Sequence, residues 1–193
     1  MLSKECREQL RAERKNALKR YEKHRRRNLF AEPGMNPFVI VLDHLKAGFN
    51  VPKIFRSAEA FGAREVHLVG IGPFDPAPAK GAFKNVPARM HADFDSCYRS
   101  LLEQGYTLFA LEPDCDTELT TSSLPEKSAF IFGHEELGVS FSREEFPQVQ
   151  CLAIAQFGKV QSLNVSVAAS VVMYEYVRQH AVVGHLPAAE KGE

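Results

Sequence analysis

No apolar run in the 193-residue chain reaches the length of a membrane span, and the start MLSKECREQLRAERK lacks the apolar core of a secretory signal. The four cysteines, Cys6, Cys97, Cys115 and Cys151, stand far apart and form no C-x-x-C pair, so neither a zinc site nor a disulfide framework is indicated. A reduced, cytoplasmic protein is the expectation. Net charge is absent too: 24 Lys and Arg balance 24 Asp and Glu, a total that argues for neither nucleic acid nor membrane. Common cofactor signatures are missing as well. Gly70 and Gly72 follow an apolar run, but Asp75 stands where G-x-G-x-x-G needs its third glycine, and Pro73 and Pro76 interrupt the helix that should follow. GHEELG, residues 133–138, lacks the second histidine of H-E-x-x-H, and no G-x-x-x-x-G-K-[ST] occurs. Internal repeats and low-complexity tracts are absent.

What is present fits one domain with an appendage, since 45% hydrophobic residues suffice for a sizeable core. The charge is unevenly spread: eleven basic residues against four Glu within 1–28 leave about +7 there and about −7 on the rest. Leu2, Cys6, Leu10, Ala17, Leu18 and Tyr21 recur at three- and four-residue steps, giving a basic helix with a narrow apolar stripe by which it docks. EPGMNP, 32–37, breaks the chain with prolines and a glycine. Residues 1–36 therefore read as a basic helical extension with its linker, 37–181 as the main domain and 182–193 as a tail.

In the main domain, FVIVL (38–42), VHLVG (66–70), TLFAL (107–111), AFIFG (129–133) and CLAIA (151–155) read as buried strands. Helix patterns cover 51–61, 95–104, 142–146 and 162–180. Such alternation predicts an α/β fold, a mostly parallel sheet with helices on both faces. The proline- and glycine-rich segment 70–90 reads as a long irregular excursion.

Three loops follow predicted strands at their carboxyl ends, where open α/β sheets bind ligands. The first leads to Asn50 and Arg56, about one and a half helical turns apart; taken alone, Arg56 is a surface arginine. In the second, Gly133 and Gly138 allow a tight turn around Glu135, which alone is an ordinary strand-to-helix connection. The third opens on polar residues before an apolar helix. There Ser162 is a plausible N-cap, whereas Asn164, among Leu163, Val165, Val167 and Ala168, needs an internal partner for its amide. Ala168, Ala169 and Ser170 suit close helix packing.

Together N-x5-R-S-A-E-A-F-G (50–62), F-G-H-E-E-L-G-V-S (132–140) and I-A-Q-F-G-K-V-Q-S-L-N-V-S-V-A (154–168) resemble the three motifs of the SpoU, or TrmH-like, RNA ribose methyltransferases of the SPOUT superfamily. The resemblance covers roughly 38–179. It implies a C-terminal trefoil knot, S-adenosylmethionine as methyl donor, tRNA or rRNA as substrate and a homodimer with the site at its interface. By motif match Arg56 is similar to the catalytic arginine, with Asn50, Glu135, Ser162 and Asn164 as motif partners. Leu111, Gly133, Gly138, Ile154 and Leu163 fall at donor-contacting positions. The implied reaction carries a methyl group to a ribose 2′-hydroxyl without a metal. Arginine side chains keep their proton in proteins, so Arg56 either acts as base with help from an RNA phosphate or clamps that phosphate while another group takes the proton. The basic arm, through Arg11, Lys15, Lys19, Arg25, Arg26 and Arg27, is expected on the RNA backbone; a solvated docked helix is its other reading. Two rivals stay open: a SPOUT base methyltransferase, and an RNA-binding factor without turnover. The chain departs from the family pattern at Ala155, where many members carry proline, and at NVPKIF before the motif-one arginine, which lacks their glycine-containing turn.

Overall fold

The computed structural model describes residues 3–180; Leu2 of the expected stripe and the expected tail 182–193 lie outside the described residues. In chain order the elements are α1 (Lys4–Asn28), β1 (Asn36–Asp43), α2 (Asn50–Ala60), β2 (Ala63–Val69), α3 (Ala82–Asn85), β3 (Ala88–His91), α4 (Phe94–Glu103), β4 (Thr107–Leu111), β5 (Ser128–Phe132), β6 (Val149–Leu152) and α5 (Val165–His180). The strands form one six-stranded sheet in the order β3-β2-β1-β5-β4-β6, with every pairing parallel.

The continuous apolar runs follow from burial on both faces. Phe38, Ile40 and Leu42 of β1 point into a core with Val51, Ile54 and Phe55 of α2 and Tyr176 of α5. Val39 and Val41, the alternate residues, enter a second core with Cys97 and Leu101 of α4. The predicted strands are all present: β4 has the expected ends, and the other four have theirs shifted by one to three residues. The segment 70–90 is more ordered than expected. It holds a 3₁₀ turn at Ala77–Ala79, α3 and most of the edge strand β3, and it seats Phe74 and Phe83 in the first core. No helix forms at 142–146, where the chain only turns before Pro147 while Phe141 and Phe146 pack on Phe94 of α4.

Docking of α1 differs from the stripe expectation. Tyr21 is buried, stacked on Phe83 with centroids 5.5 Å apart and edge-on to Phe74 at 5.3 Å. The Asn28 amide donates to the carbonyls of Phe83 (2.8 Å) and Val86 (2.7 Å) and accepts from the Ala88 N–H at 3.1 Å. Arg20 grips Asp75 with two hydrogen bonds. Leu10 and Leu18, by contrast, remain 41% and 45% exposed. Periodicity gives a helix its apolar face but does not say how far the body extends beneath it. Here the body reaches only the last turns of a 25-residue helix about 37 Å long.

A second correction concerns cysteine. Cys115 and Cys151, 36 positions apart, are joined as a disulfide with Cα atoms 5.7 Å apart. Spacing along the chain hid the pair. Ala110 pairs with Cys151 in the β4–β6 register, and the connection leaving β4 turns back over β6. Cys6 and Cys97 are free.

Candidate active site

The carboxyl ends of β4, β5 and β6 open into a cleft of about 580 Å³. Leu111, Gly133, Gly138, Ile154 and Leu163, the five positions matched to donor contact, all line it, as do Glu135, Ser162 and Asn164. Local geometry explains why glycine stands at its neck. His134 and Gly138 exchange backbone hydrogen bonds of 2.7 and 2.9 Å, so the loop doubles back on itself. A Cβ on Gly133 would overlap the backbone of Gly138 and Val139, and Gly138 sits at φ +73°, a left-handed conformation that favours glycine.

This loop is laced to the end of β1. The carboxylate of Asp43, fully buried, accepts from the Ser140 N–H (2.5 Å) and hydroxyl (2.9 Å) and pairs with His44 Nδ1 at 2.7 Å. Lys46 meets Glu136 at 2.8 Å in an exposed ion pair. The amide of Asn50 donates to Glu135 Oε1 at 2.8 Å. Asn164 in turn donates to Asn50 Oδ1 at 3.2 Å. Asn50, Glu135 and Asn164, from three distant motifs, thus form one hydrogen-bonded chain at the rim of the cleft. Partial burial pushes the Glu135 carboxyl upward, but the Asn50 amide, backbone N–H groups and His134 outweigh it and hold it below the usual carboxylate range.

Asn164, rather than Ser162, caps α5. Its Oδ1 accepts from the Ser166 N–H (3.0 Å) and hydroxyl (2.6 Å), and its own carbonyl accepts from the N–H groups of Val167 and Ala168. The side chain is exposed at the rim, so the expected internal burial does not occur, although its amide is partnered as expected. Ser162 lies two residues before the cap, exposed, on the cleft wall.

Arg56 stands apart from the cleft. It is exposed on α2 and faces a groove between α2 and α5, lined also by Lys53, Ser57, Ser166 and Ser170. A polar ladder links groove and cleft: Asn164 holds Ser166, the carbonyl of Ser166 accepts from the Ser170 hydroxyl (2.8 Å), and Ser170 meets Ser57 at 2.8 Å. Val167, Val171 and Tyr174 of α5 expose apolar surface along the same groove.

Sequence reasoning missed Asp43, Ser140, Ser166 and Gln156. Gln156 lines the cleft with a buried Oε1 that lacks a partner. The signal for Asp43 was available, as an acidic residue closing an otherwise apolar strand.

Of the six arm residues, Arg11, Lys15, Lys19, Arg26 and Arg27 are exposed, whereas Arg25 is half-buried and donates to Asn28 Oδ1 at 2.8 Å. Another polar cluster lies under β2 and β3. Arg89 and His67 Nε2 both bond Glu65, at 2.8 and 3.0 Å, and His67 Nδ1 meets His91 Nε2 at 2.9 Å. The two imidazole planes lie within 6° and their centroids 5.0 Å apart, so the rings meet nearly edge to edge along one N–H···N bond. Glu65, as acceptor, fixes a proton on His67 Nε2. Burial pushes the Cys97 thiol beside them up to about 12.

The sequence profile of the SpoU rRNA Methylase family matches residues 37–174. The chain belongs to this family. Among curated SpoU relatives, it is 33% identical over 152 residues to the tRNA (guanosine(18)-2′-O)-methyltransferase of Thermus thermophilus, covering 75% of this chain and 76% of that one. It is 31% identical over 177 residues to the 23S rRNA (guanosine-2′-O-)-methyltransferase RlmB of Xylella fastidiosa, covering 89% of this chain and 71% of that one. A solved structure from work on 2′-OH methylation of C/U34 on tRNA superposes with a TM-score of 0.63 at 27% identity, covering 74% of this chain and 95% of that one. The fold is shared with the SpoU methyltransferase AviRb of Streptomyces viridochromogenes in complex with AdoMet, at a TM-score of 0.66 and 23% identity over 78% of this chain and 61% of that one.

Proposed function

We propose that this SpoU chain is an S-adenosylmethionine-dependent RNA methyltransferase that modifies a ribose 2′-hydroxyl of tRNA or rRNA. The observation that carries the reading is the hydrogen-bonded chain Glu135–Asn50–Asn164 at the rim of the cleft. The cleft suits the donor: Leu111, Ile154 and Leu163 offer apolar walls, loop backbone offers donors and acceptors, and the unpartnered Gln156 Oε1 is ready to accept from an amino group. When bound there, the donor supplies an electrophilic methyl group on a sulfonium centre. Glu135, kept ionised, and the amides of Asn50 and Asn164 hold the rim rigid, so positioning carries much of the acceleration. No step is assigned to a metal.

Arg56 serves from the neighbouring groove. Its exposed guanidinium suits a bidentate grip on the RNA phosphate next to the target ribose, steadying the developing alkoxide. The apolar strip Val167, Val171 and Tyr174 beside it is the face on which a second copy docks, making a homodimer. The chain after β6 threads beneath the 112–127 connection to form the knot. Supporting that path, Ala153 exchanges backbone bonds with Thr117 and Leu119, while α5 ends against Ser122 and Leu124 through Gln179. On α1, Arg11, Lys15, Lys19, Arg26 and Arg27 reach the RNA backbone, while Arg25, engaged with Asn28, contributes less. Incubating the chain with methyl-labelled donor and total tRNA or ribosomal RNA, then digesting to nucleosides, tests the reading. Label in 2′-O-methyl nucleosides is expected, and label confined to bases would replace ribose by base methylation.

A further inference from the structure

One wall of the cleft comes from the end of β4 and the connection that leaves it, through Leu111, Glu112 and Pro113; Leu152 and Ile154 belong to the neighbouring strand β6 and its exit. Cys115 and Cys151 bond these two walls to each other. Backbone hydrogen bonds tie the first half of the connection to β6 and its exit at three residues, Glu112, Thr117 and Leu119. The Glu112 N–H donates to Leu152 O (3.2 Å), Thr117 O accepts from Ala153 (2.8 Å), and the Leu119 N–H donates to Ala153 O (2.8 Å). Between those ties, Pro113, Asp114, Cys115 and Asp116 make no hydrogen bond among the described residues, and the bridge is the covalent tie of the stretch to β6. Both bridged cysteines are half-buried, within reach of a small thiol or disulfide. Cys97 is sealed in the core and its burial-raised thiol is unreactive.

We propose that Cys115 and Cys151 are a thiol-oxidation site that sets how tightly the cleft holds its ligand, an inference resting on the reading of that cleft as the methyl-donor site. The oxidant is a low-molecular-weight disulfide. One protein thiolate attacks a sulfur of that disulfide and expels one small thiolate. The second protein thiolate then attacks the mixed disulfide and expels the other, so two electrons leave the protein and the two thiol protons end on the released thiols. Bridged, the Pro113 wall is fixed in the shape that lines the cleft. Reduced, the stretch 113–116 gains freedom that ligand binding must remove again, which weakens affinity by about five- to tenfold.

The test uses the full chain in two states, treated with glutathione disulfide or with dithiothreitol and then desalted, with calorimetric titration of S-adenosylmethionine into each. Trapping free thiols with iodoacetamide before peptide mass mapping reads the bridge directly. Expected are a Cys115–Cys151 cross-linked peptide only after oxidation, tighter binding in that state, and a Cys115→Ser chain that binds like the reduced form under both treatments. Cys151→Ser serves as the second variant. Failure of the cross-link to form, or equal affinity in bridged and reduced protein, overturns the clamp alone. Absence of donor binding in both states overturns the donor-site reading and the clamp with it.

Discussion

The amide of Asn50 meets the carboxylate of Glu135 at 2.8 Å, joining the first turn of α2 to the loop after β5 across 85 positions of sequence. The same asparagine accepts from Asn164, so one side chain couples all three motif loops. Asn50→Ala is expected to cost about 1–2 kcal/mol of organisation at the rim, visible as about a five- to thirtyfold loss of methyl transfer. Thermal stability should change little, because the residue lies outside both cores. Steady-state turnover beside a melting curve checks both parts.

Arg56 faces the groove rather than the cleft. Arg56→Ala should therefore abolish methyl transfer and leave the donor dissociation constant within about twofold of wild type, since no cleft contact is removed. Single-turnover assays with RNA and calorimetry with donor alone separate the two effects, and wild-type turnover in the variant removes the arginine from the mechanism.

Because α1 is anchored through Arg20, Tyr21 and Asn28, its outer part is separable from its dock. Deleting residues 1–18 is expected to preserve the melting temperature while weakening RNA binding and reducing the salt slope by about one for each lost phosphate contact. Tyr21→Ala should do the reverse, costing about 2–4 kcal/mol of stability through the cavity beside Phe74 and Phe83. Filter binding across a salt series, paired with denaturation, distinguishes the two.

Acid should loosen the β2–β3 edge in two stages. Burial, with the neighbouring His67, holds the His91 pKa below its ordinary value. As pH falls below about 6.5 the unfolded chain takes up a proton there that the folded chain refuses, and stability drops. Burial of Glu65 works against ionisation, but hydrogen bonds from His67 and Arg89 prevail and bring its pKa down to about 2. Its contribution is therefore complete above about 4.5 and lost as pH falls from there toward about 2. Denaturant midpoints measured from pH 8 to pH 3 should decline through both windows, and Glu65→Gln should flatten the lower one.

The central strands were readable because burial on both faces forces unbroken apolar runs such as FVIVL and AFIF. The edge strand Ala88–His91 was not, since it is half-exposed and follows a proline-rich stretch. The pattern at 142–146 has helical spacing, but its aromatics cap α4 from a turn. Motif spacing picked out Gly133, Glu135, Gly138, Ile154, Ser162, Leu163 and Asn164 on the cleft wall, though not Gln156. It could not reveal that Arg56 faces a separate groove, that Asn164 takes the capping place of Ser162, or that Cys115 lies over Cys151. Each of those depends on how distant segments cross in space.

β5 occupies the slot between β1 and β4, both of which precede it in the chain. During synthesis those two strands emerge with no partner in common, and the sheet stays split until β5, which begins at Ser128, 85 positions past the end of β1, supplies its centre. The half-made protein consequently possesses no rim at all, because Asn50 must wait for Glu135 and then for Asn164. A chain cut short before Asn164 therefore lacks the complete Glu135–Asn50–Asn164 linkage, however well its first strands have paired.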